Sequence, residues 1–308
     1  MTITRPGRFA PAAATALAAS LLLALPASAQ DRPRPAPRPL QFKMVSPGVY
    51  WSKEGGNTGV VIGKDGVIVY DVTINAQRAQ ELQARIAEVT DKPIKAVIIS
   101  HIDEDHIGGV SAFPKGVRII AQAETDKLIK ADIAAGRGVV PAAYAPTDVV
   151  GRRLRLTIAG EPVELLNWGP AHTSGDLVAW FPARKVAMAA DIFCMDQPRP
   201  YIKPELGGST LGWVKSAEAV LALKPKWVVV GHGEPQTPGN LRQYMIDSVR
   251  TRSEVAALAK KGMALPEIEA KVGEPQPSSV PLPPNVHQAQ FSRAIYLEVT
   301  GTKAEAHH

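Results

Sequence analysis

The chain has 308 residues, 45% of them hydrophobic, one cysteine and a formal charge of +6. That length carries one large domain or two small ones, and a lone Cys194 allows no internal disulfide, so a packed core or bound metal must supply the stability. Two of the positive charges are Arg5 and Arg8, and the other basic residues are scattered with no aromatic-interleaved run, which argues against a nucleic-acid partner.

In chain order, MTITRPGRFA is basic and leads into the apolar AAATALAASLLLAL and then Ala27-Ser28-Ala29. A positive start, a short apolar centre and an A-x-A end predict a secretory signal peptide over residues 1–29. The proline-rich DRPRPAPRPL that follows predicts an extended tether over 30–40. A periplasmic or secreted domain is then expected over 41–301, with a disordered tail over 302–308. No other stretch is apolar enough to span a bilayer, so no stable membrane insertion is expected after cleavage.

VYWSKEGGNTGVVIGKDGVIVYDV reads as strands broken by turns at Asn57 and at Lys64-Asp65-Gly66. NAQRAQELQARIAEVT reads as a helix capped by Asn75, with Ala79, Leu82, Ile86 and Val89 on one face. IKAVIIS is a short β-branched run that predicts a strand buried on both faces. VRIIAQ and AETDKLIKADIAAG predict a strand and a helix, and RLRLTIAG, PVELLNW, LVAWFP and KVAMAAD predict four more strands. TLGWVKSAEAVLAL predicts a helix, WVVVGHG a strand and GNLRQYMIDSVRTRSEVAALAKK a long helix. The loop PSSVPLPP precedes a last helix, HQAQFSRAIYLEV. Meanders mixed with crossovers predict sheets packed together with helices outside.

The histidines are few and unevenly placed. His307 and His308 end a polar tail, and His287 reads as an ordinary residue of the last helix. His101 and His106 follow KAVIIS within SHIDEDHIGGV, His172 lies in GPAHTSGD, and His232 follows WVVV. Asp191 ends KVAMAA in the same way, and Asp103 and Asp105 stand between the first two histidines. Strand ends converge along one sheet edge, so these residues can meet. Imidazoles and carboxylates ligate zinc, iron or manganese, and ligands drawn from separate loops without paired cysteines suit a catalytic site with an open position.

With HIDEDH, GPAHTSGD, AADIF and VVGHG in that order, the sequence resembles the metallo-β-lactamase superfamily from about Tyr50 to Gly233, in its glyoxalase II and lactonase-like branch. The resemblance implies an α/β fold, the αβ/βα four-layer sandwich, with two mixed sheets face to face and helices outside. It implies two divalent ions, zinc foremost. His101, residue 103 and His172 would hold the first, Asp105, His106 and His232 the second, and Asp191 would bridge them. It further implies that Asp105 can instead act as the base toward a water if the second ion is absent, and that Asp71, ending VIVYD, accepts an imidazole N–H behind the site. Gly108 and Gly109 match the family's glycines after the motif, where the backbone must approach closely.

The departure is Asp103, where the family expects histidine. Three carboxylates against two divalent ions lower the field that acidifies a bound water, which predicts a nucleophile formed at higher pH. Oxygen ligation also moves preference toward manganese or iron. Tyr201, ten residues after Asp191, is a candidate to steady an oxyanion, and Cys194 reads as a small buried residue. The expected function is an exported metallohydrolase that uses a metal-bound hydroxide on a small ester, thioester, lactone or β-lactam. A mononuclear iron dioxygenase on His101, His172 and one aspartate, and a non-catalytic metal- or ligand-binding protein, remain as alternatives.

Overall fold

In the computed structural model, residues 1–2, 39–273 and 290–302 are described. The expected signal peptide, tether and tail fall almost wholly outside these ranges, as do His287 and PSSVPLPP. Backbone contacts separate Leu40–His308 as one unit from Met1–Pro39.

Four short strands open the unit: β1 (Gln41–Ser46), β2 (Val49–Lys53), β3 (Thr58–Ile62) and β4 (Val67–Tyr70). Each pairs antiparallel with the next, because only a few turn residues separate them. The chain then changes habit. Helix α1 (Ala76–Ala87) intervenes before β5 (Ile94–Ile98), so β5 returns parallel to β4. Asn75 caps α1 by accepting the Arg78 N–H at 3.0 Å, and Ala79, Leu82 and Ile86 are buried on its inner face. Val89 is 38% exposed, because α1 ends at Ala87, before its periodicity would turn that side chain inward. After the one-turn helix α2 (Glu104–Ile107), β6 (Arg118–Gln122), helix α3 (Ala123–Ala134) and β7 (Asp148–Val150) complete a seven-stranded sheet ordered β1 to β7.

The second sheet comprises β8 (Arg153–Ile158), β9 (Glu161–Leu166), β10 (Val178–Phe181), β11 (Val186–Cys194) and β12 (Trp227–His232), in the order β12-β11-β10-β9-β8. Helix α4 (Thr210–Ala222) crosses over between the parallel pair β11 and β12. Helices α5 (Pro238–Lys260), α6 (Leu265–Val272) and α7 (Phe291–Thr300) follow.

Three apolar layers result. Trp51, Tyr70, Ile98 and Val150 of one sheet meet Leu165, Phe181 and Met188 of the other in the central layer. The outer face of the first sheet packs Val69, Val97 and Ile119 against Leu82 of α1 and Ile129 of α3. The outer face of the second packs Ala187, Ala189 and Val228 against Trp213, Tyr244 and Phe291 of α4, α5 and α7. This is the αβ/βα four-layer sandwich. Neither β7 nor α6 is marked in the sequence, since three and eight residues hold too few periods to register.

Among the described residues no helix is long and apolar enough to cross a membrane.

Candidate metal centre

The parallel ends of β4 and β5 deliver the first residues of the site. Beyond Tyr70 the backbone turns through Asp71 at φ +61°, and the Asp71 N–H donates to the Ile98 carbonyl at 2.9 Å. This left-handed turn sets a fully buried carboxylate directly behind the loop after β5. Asp71 Oδ1 accepts the Ser100 N–H at 2.8 Å, and Oδ2 accepts the Ser100 hydroxyl at 2.7 Å. Oδ2 also lies 2.8 Å from His106 Nδ1. A carboxylate only accepts, so that nitrogen carries the proton.

Ser100 extends the same logic to His101. Its single hydroxyl proton goes to Asp71, so the 2.8 Å contact with His101 Nδ1 makes that nitrogen the donor as well. One aspartate therefore fixes the tautomers of two histidines and leaves both Nε2 atoms as lone-pair donors. Close packing locks the turn: a Cβ on Gly108 would stand 2.0 Å from the Ile74 carbonyl oxygen, and one on Gly109 would stand 2.0 Å from that of Val72.

His172 and His232 arrive from the second sheet, each with Nε2 facing the carboxylates of the site. His172 Nδ1 donates to the Tyr201 carbonyl at 2.7 Å, which turns Nε2 inward. The loop holding it is tied by Asp176, whose carboxylate accepts the Thr173 hydroxyl at 2.7 Å and its N–H at 3.1 Å. His232 is the last residue of β12. Asn57 anchors that strand end by donating to the carbonyls of Val230 and Gly233 at 2.9 and 2.7 Å.

Asp191 does not end its strand. β11 runs on to Cys194, but its register with β12 breaks on either side of Ala190, whose φ is +40°. The irregularity turns the Asp191 carboxylate into the site, 3.1 Å from His106 Nε2 and 3.4 Å from His232 Nε2. His172 Nε2 is 3.7 Å away and His101 Nε2 4.0 Å.

The ligand candidates divide into two clusters whose donor atoms all lie within 4.8 Å of one another: His101, Asp103, His172 and Asp191, and Asp105, His106 and His232. Asp191, Cys194 and His232 form a third such combination. Burial holds the Cys194 thiol well above its ordinary range, and nearby Asp191 adds to that, so it stays neutral.

The donor set suits cations. His101 Nε2, His106 Nε2, Asp105 Oδ2 and Asp191 Oδ1 are all buried without a hydrogen-bond partner. Buried polar atoms are rarely left so, and cations bound among these four would satisfy them. The surrounding backbone keeps the space open: a Cβ on Gly56 would stand 2.6 Å from His106 Nε2, and one on Gly231 1.8 Å from Asp191 Oδ1.

Electrostatics agree. Burial disfavours charge on His106, but Asp191, Asp105 and Asp71 overcome it and hold the imidazole well above its ordinary range. His172 is likewise opposed by burial, yet the Asp103 hydrogen bond and the Asp191 carboxylate push it up to about 9. His232 is raised against burial, chiefly by Asp191. Burial works against ionised Asp191, but His232 and His106 hold its carboxyl well below the usual range. These are the responses of a pocket with a strongly negative interior, in which protons stand where cations can bind.

Lys203 was not visible in the sequence as part of the site. Asp103 meets a lysine: Lys203 Nζ donates to Asp103 Oδ2 at 2.5 Å, the same oxygen that lies 3.2 Å from His172 Nε2 and 3.4 Å from His101 Nε2. The pair is electrically neutral, as an uncharged histidine would be, so Asp103 adds no net charge while Lys203 stays on it. Tyr201 stands next to it, with its ring 5.5 Å from that of His172 and 5.4 Å from Lys203 Nζ. Burial pushes the Tyr201 phenol up to about 12, so it keeps its proton. Glu104, between the candidate ligands, is exposed and outside both clusters.

The chain is 26% identical over 211 residues to the metallo-beta-lactamase IND-1 of Chryseobacterium indologenes, covering 64% of this chain and 80% of that one. It is 27% identical over 216 residues to a linear primary-alkylsulfatase of Pseudomonas sp. (strain ATCC 19151), covering 56% of this chain and 40% of the alkylsulfatase. The solved inverting sec-alkylsulfatase Pisa1 of Pseudomonas sp. superposes with a TM-score of 0.67 at 18% identity, over 85% of this chain and 50% of its own length. The chain thus spans half or less of either sulfatase. The metallo-beta-lactamase superfamily profile matches residues 51–232, an interval that contains every candidate ligand, and the chain belongs to that superfamily.

Proposed function

We propose that this protein is an exported metallohydrolase that holds two divalent ions and directs water onto a small ester-type substrate. The observation that carries the reading is the set of four buried donor atoms with no hydrogen-bond partner, spread over both clusters. His101, Asp103 and His172 would hold one ion, and Asp105, His106 and His232 the other, with Asp191 between them. Zinc suits the imidazole-rich set, and the oxygens of Asp103, Asp105 and Asp191 also admit manganese or iron. A single iron on His101, His172 and an aspartate would leave the partnerless atoms of Asp105 and His106 unexplained, which favours the two-ion reading.

The ions, when bound, supply acidity to a water and polarise the substrate oxygen. The chain's own residues do the rest. Asp71 and Ser100 hold two imidazoles in one tautomer and one orientation. Where the second ion is absent, Asp105 would instead orient the attacking water and take up its proton. The Tyr201 phenol, which stays protonated, donates a hydrogen bond to charge developing on the substrate.

The relatives named above are a β-lactamase and alkylsulfatases, so the substrate classes to test are amide-like and carboxylic esters, lactones, thioesters and sulfate esters. The test is hydrolysis of a chromogenic panel by purified protein saturated with zinc or manganese. Turnover that a chelator abolishes and added metal restores is the expected result. A protein that binds metal and turns over no member of the panel would point instead to a binding role.

A further inference from the structure

The Lys203–Asp103 pair makes the two halves of the centre unequal. Lys203 is not a surface residue that strays inward; its side chain is 13% exposed and its backbone is held on both sides. Its N–H donates to the His172 carbonyl at 2.9 Å, and its own carbonyl accepts from Gly208 and Leu206 at 2.8 and 3.0 Å. The same short segment supplies the Tyr201 carbonyl that orients His172. The ammonium is thus placed by the loop that builds the first half of the centre, and it sits on the one Asp103 oxygen that faces His101 and His172.

The other half has no such group. Among the described residues, the ion pairs of Asp105 and Asp191 are all with histidines, which give up their protons to metal. A lysine ammonium has no lone pair to offer an ion. An ion entering between His101, Asp103 and His172 must share Asp103 with the ammonium or displace it, and either way it meets a positive charge at close range. An ion entering between Asp105, His106 and His232 meets neither obstacle.

We propose that Lys203 is a built-in competitor for the first metal position, so that the two positions fill in order: the Asp105, His106 and His232 position first, the His101, Asp103 and His172 position second and more weakly. The inference rests on the two-ion reading above. Lys203 acts here as a positioning residue through Asp103. Its flexible four-carbon stem lets the ammonium swing aside when the second ion binds.

The test is a zinc titration of the full chain against a chromophoric chelator, with no substrate present. Wild-type protein is expected to take two zinc ions with affinities separated by at least about tenfold, the scale of a modest charge coupling between close buried groups. Lys203→Met should close most of that gap by strengthening the weaker site, with the tighter site unchanged. Lys203→Gln repeats the measurement should the methionine variant fold poorly. On an Asp103→Asn background the same lysine substitution should have a much smaller effect. Two equally tight sites in the wild type, or a gap that survives both lysine substitutions, would overturn the inference and leave the two-ion reading standing. No zinc bound at all would overturn both.

Discussion

The two halves of the centre share one aspartate and one fold edge, yet they are furnished differently. Around Asp105, His106 and His232 the donor atoms face one another, and two of them, on Asp105 and His106, are buried without a partner. His106 is braced directly by Asp71. Around His101, Asp103 and His172, the carboxylate already has a cation in Lys203. Only His101 is braced by Asp71, and then through Ser100. Histidines are the only ion-pair partners of Asp105 among the described residues, and they can yield their protons to an ion. An ion entering the other half must share Asp103 with an ammonium or displace it. The charge of the aspartate at 103, where the family resemblance expects histidine, is met by a lysine from another loop 100 residues away.

The comparison can be broken most severely at Asp191, which reaches both halves. Asp191→Ala should remove both ions at micromolar metal and bring hydrolysis to the buffer background, as read by metal analysis and the chromogenic panel. Retention of two tightly held ions would mean that Asp191 does not join the halves.

Tyr201→Phe should lower kcat by roughly a hundredfold, the loss that follows deletion of one oxyanion donor, with metal content unchanged. A KM effect alone would assign Tyr201 to substrate binding instead.

Asp71→Asn should weaken metal binding by about 10–100-fold, because hydrogen bonds behind a ligand imidazole carry that much affinity. The larger part should fall on the Asp105, His106 and His232 position, since His106 touches Asp71 directly. Equal losses in both positions would show that the Ser100 relay is as stiff as the direct bond.

The smallest effect concerns pH in the ion-free protein. The His172 pKa is raised from 6.5 to about 9, so its contribution to stability is fully present below pH 6.5 and is lost as pH rises toward 9. Asp103 and Asp191 are depressed below 3.8, so theirs is present above that value and lost in stronger acid. The melting temperature in chelator should therefore fall by a few degrees between pH 6.5 and 9. With zinc present it should hold or rise over the same window, because metal displaces the protons. Parallel curves with and without zinc would contradict that linkage.

Much of this centre was legible because its ligands follow strongly patterned strands. KAVIIS, WVVV and KVAMAA are apolar and β-branched enough to mark β5, β12 and β11, and the residues just after or within their ends are the ones that converge. Asp71 could be placed for the same reason, as the end of VIVYD. Lys203 could not. A lysine in a proline- and glycine-containing loop is ordinary, and its pairing with Asp103 depends on how the loop after β11 folds against His172. Ser100 was hidden because its role depends on two bonds of one hydroxyl, and Asn57 because its partners lie more than 170 residues away. The continuation of β11 past Asp191 rests on a bulge at Ala190, which apolar periodicity does not encode.

The central claim is a two-ion centre with unequal halves, and it is tested most directly by anomalous diffraction from crystals grown with one and with excess equivalents of zinc. The account predicts one peak among Asp105, His106, His232 and Asp191 at one equivalent. At excess it predicts a second peak among His101, Asp103 and His172, with the Lys203 ammonium moved off Asp103. A first peak at His101 and His172, with Lys203 still on Asp103, would contradict it.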